Sequence, residues 1–374
     1  MNRFIYAVSL LLVIATSNVT IASDFKVVFI NPGHPDRDST GTFWSTVNHV
    51  MLAAADDLNI ELITLFANRD HILMKELAND VAKHRPDFAI IVNEKGAGLE
   101  LAKTIAGHDI PIFTLLNGFS LAERATLTDK QKSSIIGSLT PDNFNAGKLL
   151  AKDLVALHRL KYVNQSSFNL LALQGDYRSA AAIERGKGLS DFLSTQPDID
   201  LIDNPVANWS KDEAYLKVKG LLRRQRIDII WAANDPMAFG ASRAVKEANL
   251  PYKVTIGGFN WDEANSLYPI DISYGGHVTL GAKALVMLKD FKANSMQPCE
   301  MHQTVNIFEP SSEDRVARFN ANISDRSYER FDFKRFSKSH PNRASFVMES
   351  FVSRIYKAAD NVLDNISCPK IIIN

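Results

Sequence analysis

Cysteine is scarce in this chain of 374 residues: Cys299 and Cys368 are the only two. One disulfide is the most it can hold. In an oxidising compartment the pair would tie the C-terminal end back to the body; two unpaired thiols are the equal alternative. An excess of one charge is also missing, because 42 Lys and Arg stand against 42 Asp and Glu. With no basic surplus to draw in nucleic acid or an acidic membrane surface, no nucleic-acid partner is expected. Beyond the first two dozen residues, no run is long and apolar enough to span a bilayer. A Gly-x-Ser-x-Gly elbow, a phosphate loop and a His-Glu-x-x-His pair are all missing, so no catalytic motif names a reaction. There is no internal repeat and no low-complexity run.

What is present begins with "MNRFIYAVSLLLVIATSNVTIAS". Arg3 precedes an apolar run from Phe4 to Ala15, and Thr20 and Ala22 stand as the small residues of a cleavage site. This reads as a secretory signal peptide over 1–22, too short in its apolar core to be a span. The mature chain is therefore expected to be exported.

From Phe25 onward, short apolar runs alternate with amphipathic ones. "FKVVFINP", "IELITLFA", "DFAIIVN" and "IPIFTLLN" read as strands; "FWSTVNHVMLAAADDL" puts Phe43, Val47, Val50, Met51 and Ala54 on one helical face. The pattern resumes in "SSIIGSL", "FNLLALQ", "IDLIDNPV", "IDIIWAA" and "YKVTIGGF". Alternation of this kind, with largely apolar strands, predicts an α/β fold of parallel sheets covered by helices on both faces. It breaks once, between Asn117 and Ser133, which reads as the boundary between two sheets. Two doubly wound lobes are expected, with ligands outside the C-terminal ends of their strands. After about Glu309 the chain turns polar with scattered aromatics, and "ASFVMESFVSRIYKAADNVL" reads as one more helix.

Four stretches in order carry a resemblance: "TPDNFNAGKLLAKDL", "QGDYRSAAAIERGKGL", "IIWAANDPMAFGASRAV" and "VTIGGFNWDE". The chain resembles the type I periplasmic solute-binding proteins of the ribose-binding sort, from about Phe25 to Phe308. That resemblance implies two lobes, a hinge and an interlobe ligand cleft. It implies an N-terminal lobe of 23–141 plus 277–308, a C-terminal lobe of 142–276, and an extension over 309–374. No cofactor is expected, and no metal: metal binding is possible on composition, but the spacing of the candidate ligands does not support it. His34, Asp36, Arg37 and Asp38 crowd the long first loop, but without paired ligand spacing.

By the same resemblance, Phe43 and Trp44 fall where stacking aromatics sit, and Trp209 where the second lobe supplies one. Sugars bind such rings by their apolar faces while their hydroxyls take directed hydrogen bonds. Asn93 and Asn117 end strands of the first lobe; Asn260 and Trp261 end a strand of the second. Asn234 opens a helix and reads as either a helix cap or a ligand contact, whereas Asp235 reads as a cap. His277, after Gly275 and Gly276, would lie near the cleft or merely start a helix. In "GDYRSAAAIERGKG", Ile183 replaces the family's usual arginine; Arg178 is the candidate substitute, while Glu184, Arg185 and Gly186 read as packing residues. Leu116 and Asn117 replace a usual Asp-Arg pair, and Asn260 a usual aspartate. A ribose assignment does not survive these departures, although the fold does.

The expectation is an exported periplasmic binding protein, monomeric, that closes on a small polar, sugar-like ligand. It would serve an ABC permease or a membrane sensor kinase, and the C-terminal extension, not needed for plain sugar binding, favours the sensor. The alternatives are an exported enzyme of unknown class and a ligand-sensing regulator, the fold being shared with lactose-repressor-type proteins.

Overall fold

The computed structural model describes residues 23–36, 38–262, 266–324, 331–353 and 355–359. The proposed signal peptide, Arg37 and Cys368 lie outside the described residues. Cys299 is disulfide-bonded.

Among the described residues, twelve strands form two sheets. The first contains β1 (Phe25–Asn31), β2 (Ile60–Phe66), β3 (Phe88–Ile91), β4 (Ile112–Leu115), β5 (Ile135–Pro141) and β11 (His302–Val305). Its order is β11-β5-β4-β3-β1-β2, and every pairing is parallel. The second contains β6 (Phe168–Leu173), β7 (Ile199–Asp203), β8 (Ile229–Ala232), β9 (Thr255–Phe259), β10 (Ile272–Gly275) and β12 (Glu309–Pro310). Its order is β12-β10-β9-β8-β6-β7, parallel except for the short edge strand β12. In both sheets the order reverses beside the first strand, so each has a crevice at its C-terminal edge where a ligand can enter.

The first sheet carries α1 (Phe43–Asp57), α2 (His71–Asp80), α3 (Gly98–Ala106), α4 (Leu121–Ala125) and α5 (Asp129–Ser134). The second carries α6 (Asn143–Lys161), α7 (Ala180–Leu193), α8 (Lys211–Leu221) and α9 (Asp235–Ala248). After β10, the helix α10 (Leu280–Lys292) returns to the first core, burying Leu280, Leu285 and Leu288 completely. Central strands are apolar on both faces, as parallel sheets require: every residue of β3, β4, β8 and β10 is buried.

The break between Asn117 and Ser133 is not the sheet boundary. That stretch forms α4 and α5, and β5 then pairs with β4 in the first sheet. The two helices lack an apolar stripe because capping boxes hold them locally, Ser120 with Glu123 and Thr128 with Gln131. The chain leaves the first sheet only after Pro141.

On the second sheet, α6 and α7 meet backbone to backbone. A Cβ on Gly147 would sit 2.1 Å from the Arg185 carbonyl oxygen, and one on Gly188 would sit 1.9 Å from that of Phe144. Gly188→Ala should therefore force the helices apart and cost about 1–3 kcal/mol. Urea unfolding with an unchanged m-value checks this; a stability equal to the parent contradicts the close approach.

The C-terminal region departs from the single expected helix. Among the described residues it forms α11 (Glu313–Ser324) and a six-residue α12 (Met348–Ser353), closed by an isolated bridge between Ala344 and Ala358. Its scattered aromatics converge: Phe331, Phe336 and Phe351 stack with centroids 5.0–5.9 Å apart. The cluster belongs to the first core and is pinned there by Lys334 to Asp57 and by the Ser337 hydroxyl to Asp290.

Candidate functional site

Ten strands deliver side chains to one cavity at their C-terminal ends. From the first sheet come Thr40, Phe43 and Trp44 after β1, Arg69 after β2, Glu94 after β3, Leu116 and Asn117 after β4, and Pro141 and Asn143 at β5. From the second come Ala181 and Arg185 after β6, Trp209 after β7, Asn234 after β8, Asn260 after β9 and His277 after β10. The cavity is tight: about 70 Å³ of it is open to the centre of a water-sized sphere. The backbone is bent to aim these groups. Arg69, Leu116, Trp209 and Asn260 all take positive φ, at 61°, 64°, 63° and 128°. Each such non-glycine conformation costs roughly 1–3 kcal/mol, a strain that clusters where a site is built.

Arg185 lies at the centre, 3% exposed. Its Nε donates to Asn143 Oδ1 at 3.0 Å, Nη1 to the Ala233 carbonyl at 2.6 Å, and Nη2 to His277 Nε2 at 3.3 Å. The guanidinium lies over the Phe259 ring at 4.4 Å. Burial pulls it down to about 9, so it remains a cation at neutral pH. The Arg185 contact assigns His277 Nε2 as the acceptor, which places the ring proton on Nδ1. His277 is held well below the usual histidine range, by burial first and by the Arg185 charge second.

The sign of the pH effect follows. A histidine neutral when folded binds fewer protons than its unfolded form, so its contribution to stability is lost as pH falls below the unfolded value of about 6.5. His277 should show a neutral imidazole at about pH 6 in nitrogen-15 spectra; a protonated ring there contradicts the arrangement.

The rings are fixed from behind. Phe43 packs on His277 with centroids 4.8 Å apart, and on Trp44 at 5.0 Å. The Trp209 ring presses on Gly175, where a Cβ would lie 2.2 Å from it, and its Nε1 donates to Asp176 Oδ2 at 2.7 Å. Burial pushes the Asp176 carboxyl up, but Ser179, the Arg178 N–H and the Trp209 indole outweigh it and hold it below its usual range. The Trp209 carbonyl accepts from Asn234 Nδ2 at 3.0 Å.

The sheets touch across the cavity rim. Asn117 Oδ1 accepts from the Ala181 N–H at 2.8 Å, and the Ser39 carbonyl from the Lys211 N–H at 3.0 Å. The first loop is braced from within, as Asp38 Oδ1 accepts from both the N–H and the hydroxyl of Thr40. His34 contacts Asp38 at 3.4 Å, and no group of three or more His, Cys, Asp or Glu among the described residues is arranged to hold a metal.

Of the residues singled out in the sequence, Phe43, Trp44, Asn117, Trp209, Asn234, Asn260 and His277 line the cavity. Asn93, Arg178 and Trp261 do not. Asn93 is spent on structure, donating to the Gly118 carbonyl and Glu123 and accepting from the Gly98 N–H. Arg178 is an exposed rim residue lying against Gly96 of the first lobe. Trp261 is buried behind the wall, pressed on Gly275 and edge-on to Phe319 at 5.5 Å. Asn234 combines both of its readings: its Oδ1 caps α9 through the Met237 N–H, and the residue lines the cavity. Asp235 is not the cap; it lies buried, accepting from the Ser273 hydroxyl and the Asp262 N–H.

Arg185, read as a packing residue, is a lining residue instead. Its signal was there: with Ala182, Leu189 and Phe192 it occupies the buried stripe of α7, where an arginine needs a reason. Ile183, where the resemblance places an arginine, is 41% exposed and outside the lining. Arg69 and Glu94 were missed altogether, because a charged residue in a loop ordinarily reads as solvated.

Comparison with known proteins agrees with this geometry. Residues 21–268 match the family model described as a periplasmic binding protein domain. The chain is 30% identical over 194 residues to a xylitol-binding protein of Mycolicibacterium smegmatis, covering 51% of this chain and 50% of the relative. It is 29% identical over 146 residues to a galactofuranose-binding protein of Escherichia coli, covering 38% and 42%. It thus spans about half the length of these curated relatives. A periplasmic sugar-binding protein of Pseudomonas fluorescens superposes with a TM-score of 0.73 at 28% identity, covering 84% of this chain and 94% of that one.

Proposed function

We propose that this chain, which belongs to the periplasmic binding protein domain family, closes its two lobes on one neutral sugar or polyol in the periplasm. The reading is carried by the cavity itself, lined by rings and side-chain amides from the C-terminal ends of both sheets. Rings of this kind take the apolar face of a sugar, and amides both donate to and accept from hydroxyls. Binding and release need no bond-making chemistry, so the protein acts as a carrier or reporter, not an enzyme.

The lobes are 23–141 with 277–308, and 142–276, joined by three crossings. Closure is a hinge motion, and the ligand favours the closed form through the contacts it makes with both lobes. The rim bonds Asn117–Ala181 and Ser39–Lys211 belong to that closed form. The monomer then serves an ABC permease or a membrane sensor, after export directed by residues 1–22. The described part of the C-terminal region, packed on the first core, gives a sensor a surface that plain sugar binding does not need.

A thermal-shift screen with D-ribose, D-galactose, D-fructose, xylitol and myo-inositol tests the reading. A ligand at a hundred times its Kd stabilises by about 2.7 kcal/mol, a shift of several degrees. No shift with any neutral sugar or polyol would sink it.

A further inference from the structure

One largely buried ion pair stands on the cavity wall. Arg69 Nη1 and Glu94 Oε1 are 2.8 Å apart, with side chains only 14% and 9% exposed. Both line the cavity. The contact is close but poorly aligned, and Glu94 Oε1 makes no directed hydrogen bond although it is buried. A buried carboxylate oxygen held only by a misaligned cation is under-satisfied, and a ligand hydroxyl can supply the directed donor it lacks. The backbone is strained at this spot as well: Arg69 has φ 61°, and Lys95, next to Glu94, has φ 49°. Leu116 and Asn117, after the neighbouring β4, contribute no charge to the wall.

We propose that Arg69 and Glu94 are the charged grip of the site, Glu94 accepting from one sugar hydroxyl and Arg69 donating to its neighbour. The proposal rests on the sugar reading above and narrows it to ligands presenting two adjacent hydroxyls. A carboxylate paired with a guanidinium is neutral overall, so it suits a diol, which both donates and accepts, and repels a sugar acid brought against Glu94. The two side chains come from the first lobe alone, after β2 and β3. They can therefore hold the ligand before the second lobe closes on it.

The test is calorimetric titration of the best-stabilising member of the five-compound panel into the parent, Glu94→Gln and Arg69→Met. Each variant should bind about ten- to hundred-fold more weakly, the loss expected of a hydrogen bond to a charged group. The double variant should lose less than the product of the two, because the pair acts as a unit. Apo melting temperatures are measured alongside. Parent-like affinity in both single variants, with only the apo melting temperature lowered, assigns the pair to structure and overturns the proposal while leaving the sugar reading intact. Should a single variant fail to fold, the double variant, which leaves no unpaired buried charge, should still bind at least about ten-fold more weakly than the parent, and parent-like affinity there overturns the proposal. A parent protein that binds none of the panel overturns the sugar reading and this proposal together.

Discussion

Arg185→Ala is expected to lower stability by about 3–5 kcal/mol and to abolish measurable sugar binding. The substitution removes three hydrogen bonds and leaves the Ala233 carbonyl and Asn143 Oδ1 without their donor. It also opens a void between the rings of Phe259, Phe308 and Trp209, over all of which the guanidinium lies. His277 then loses the contact that fixes its ring. Arg185→Lys should recover little, since a single ammonium cannot reproduce a fork aimed at three acceptors. Urea unfolding and titration with the best panel sugar read the two effects separately. Arg185→Ala with parent-like stability and affinity would mean the guanidinium is a bystander.

Trp209→Ala has the second largest expected effect, and it falls on binding. The ring is locked by Gly175 behind it and by Asp176 at its Nε1, so it stands pre-formed as a stacking face. Losing a tryptophan anchor at a binding site typically costs about 2 kcal/mol, roughly thirty-fold in Kd. Trp209→Phe keeps a ring and should lose much less, though Asp176 then forfeits one of its donors. Equal affinities for the alanine variant and the parent would remove Trp209 from the site.

Most of the architecture is legible in the sequence because parallel strands and their covering helices write the simplest patterns: apolar runs, amphipathic runs, and polar residues where strands end. The misread boundary at 117–133 shows the limit. A stretch folded by capping boxes has no apolar stripe, yet it continues the same sheet. The site is legible only where sequence position fixes direction. Asn234 caps a helix and so must face the strand end, and His277 follows directly on a strand. Asn260 and Trp261 are neighbours in the chain, yet one lines the cavity and the other lies behind it. Both take positive φ, and no pattern of residue types announces that turn of the backbone. Arg69 and Glu94 reach the same wall from β2 and β3, which are not paired with each other. Their meeting is a tertiary fact with no local signature. The C-terminal aromatics were visible as residues but not as a cluster, for the same reason.

A crystal structure of the protein with its best-stabilising sugar would show whether the ligand enters the cavity between the two sheets. The sugar should lie between the rings of Phe43 and Trp209, with hydroxyls within about 2.6–3.2 Å of the side-chain amides of Asn234 and Asn260. A sugar bound outside this cavity, or a cavity still empty at saturating sugar, would contradict that placement.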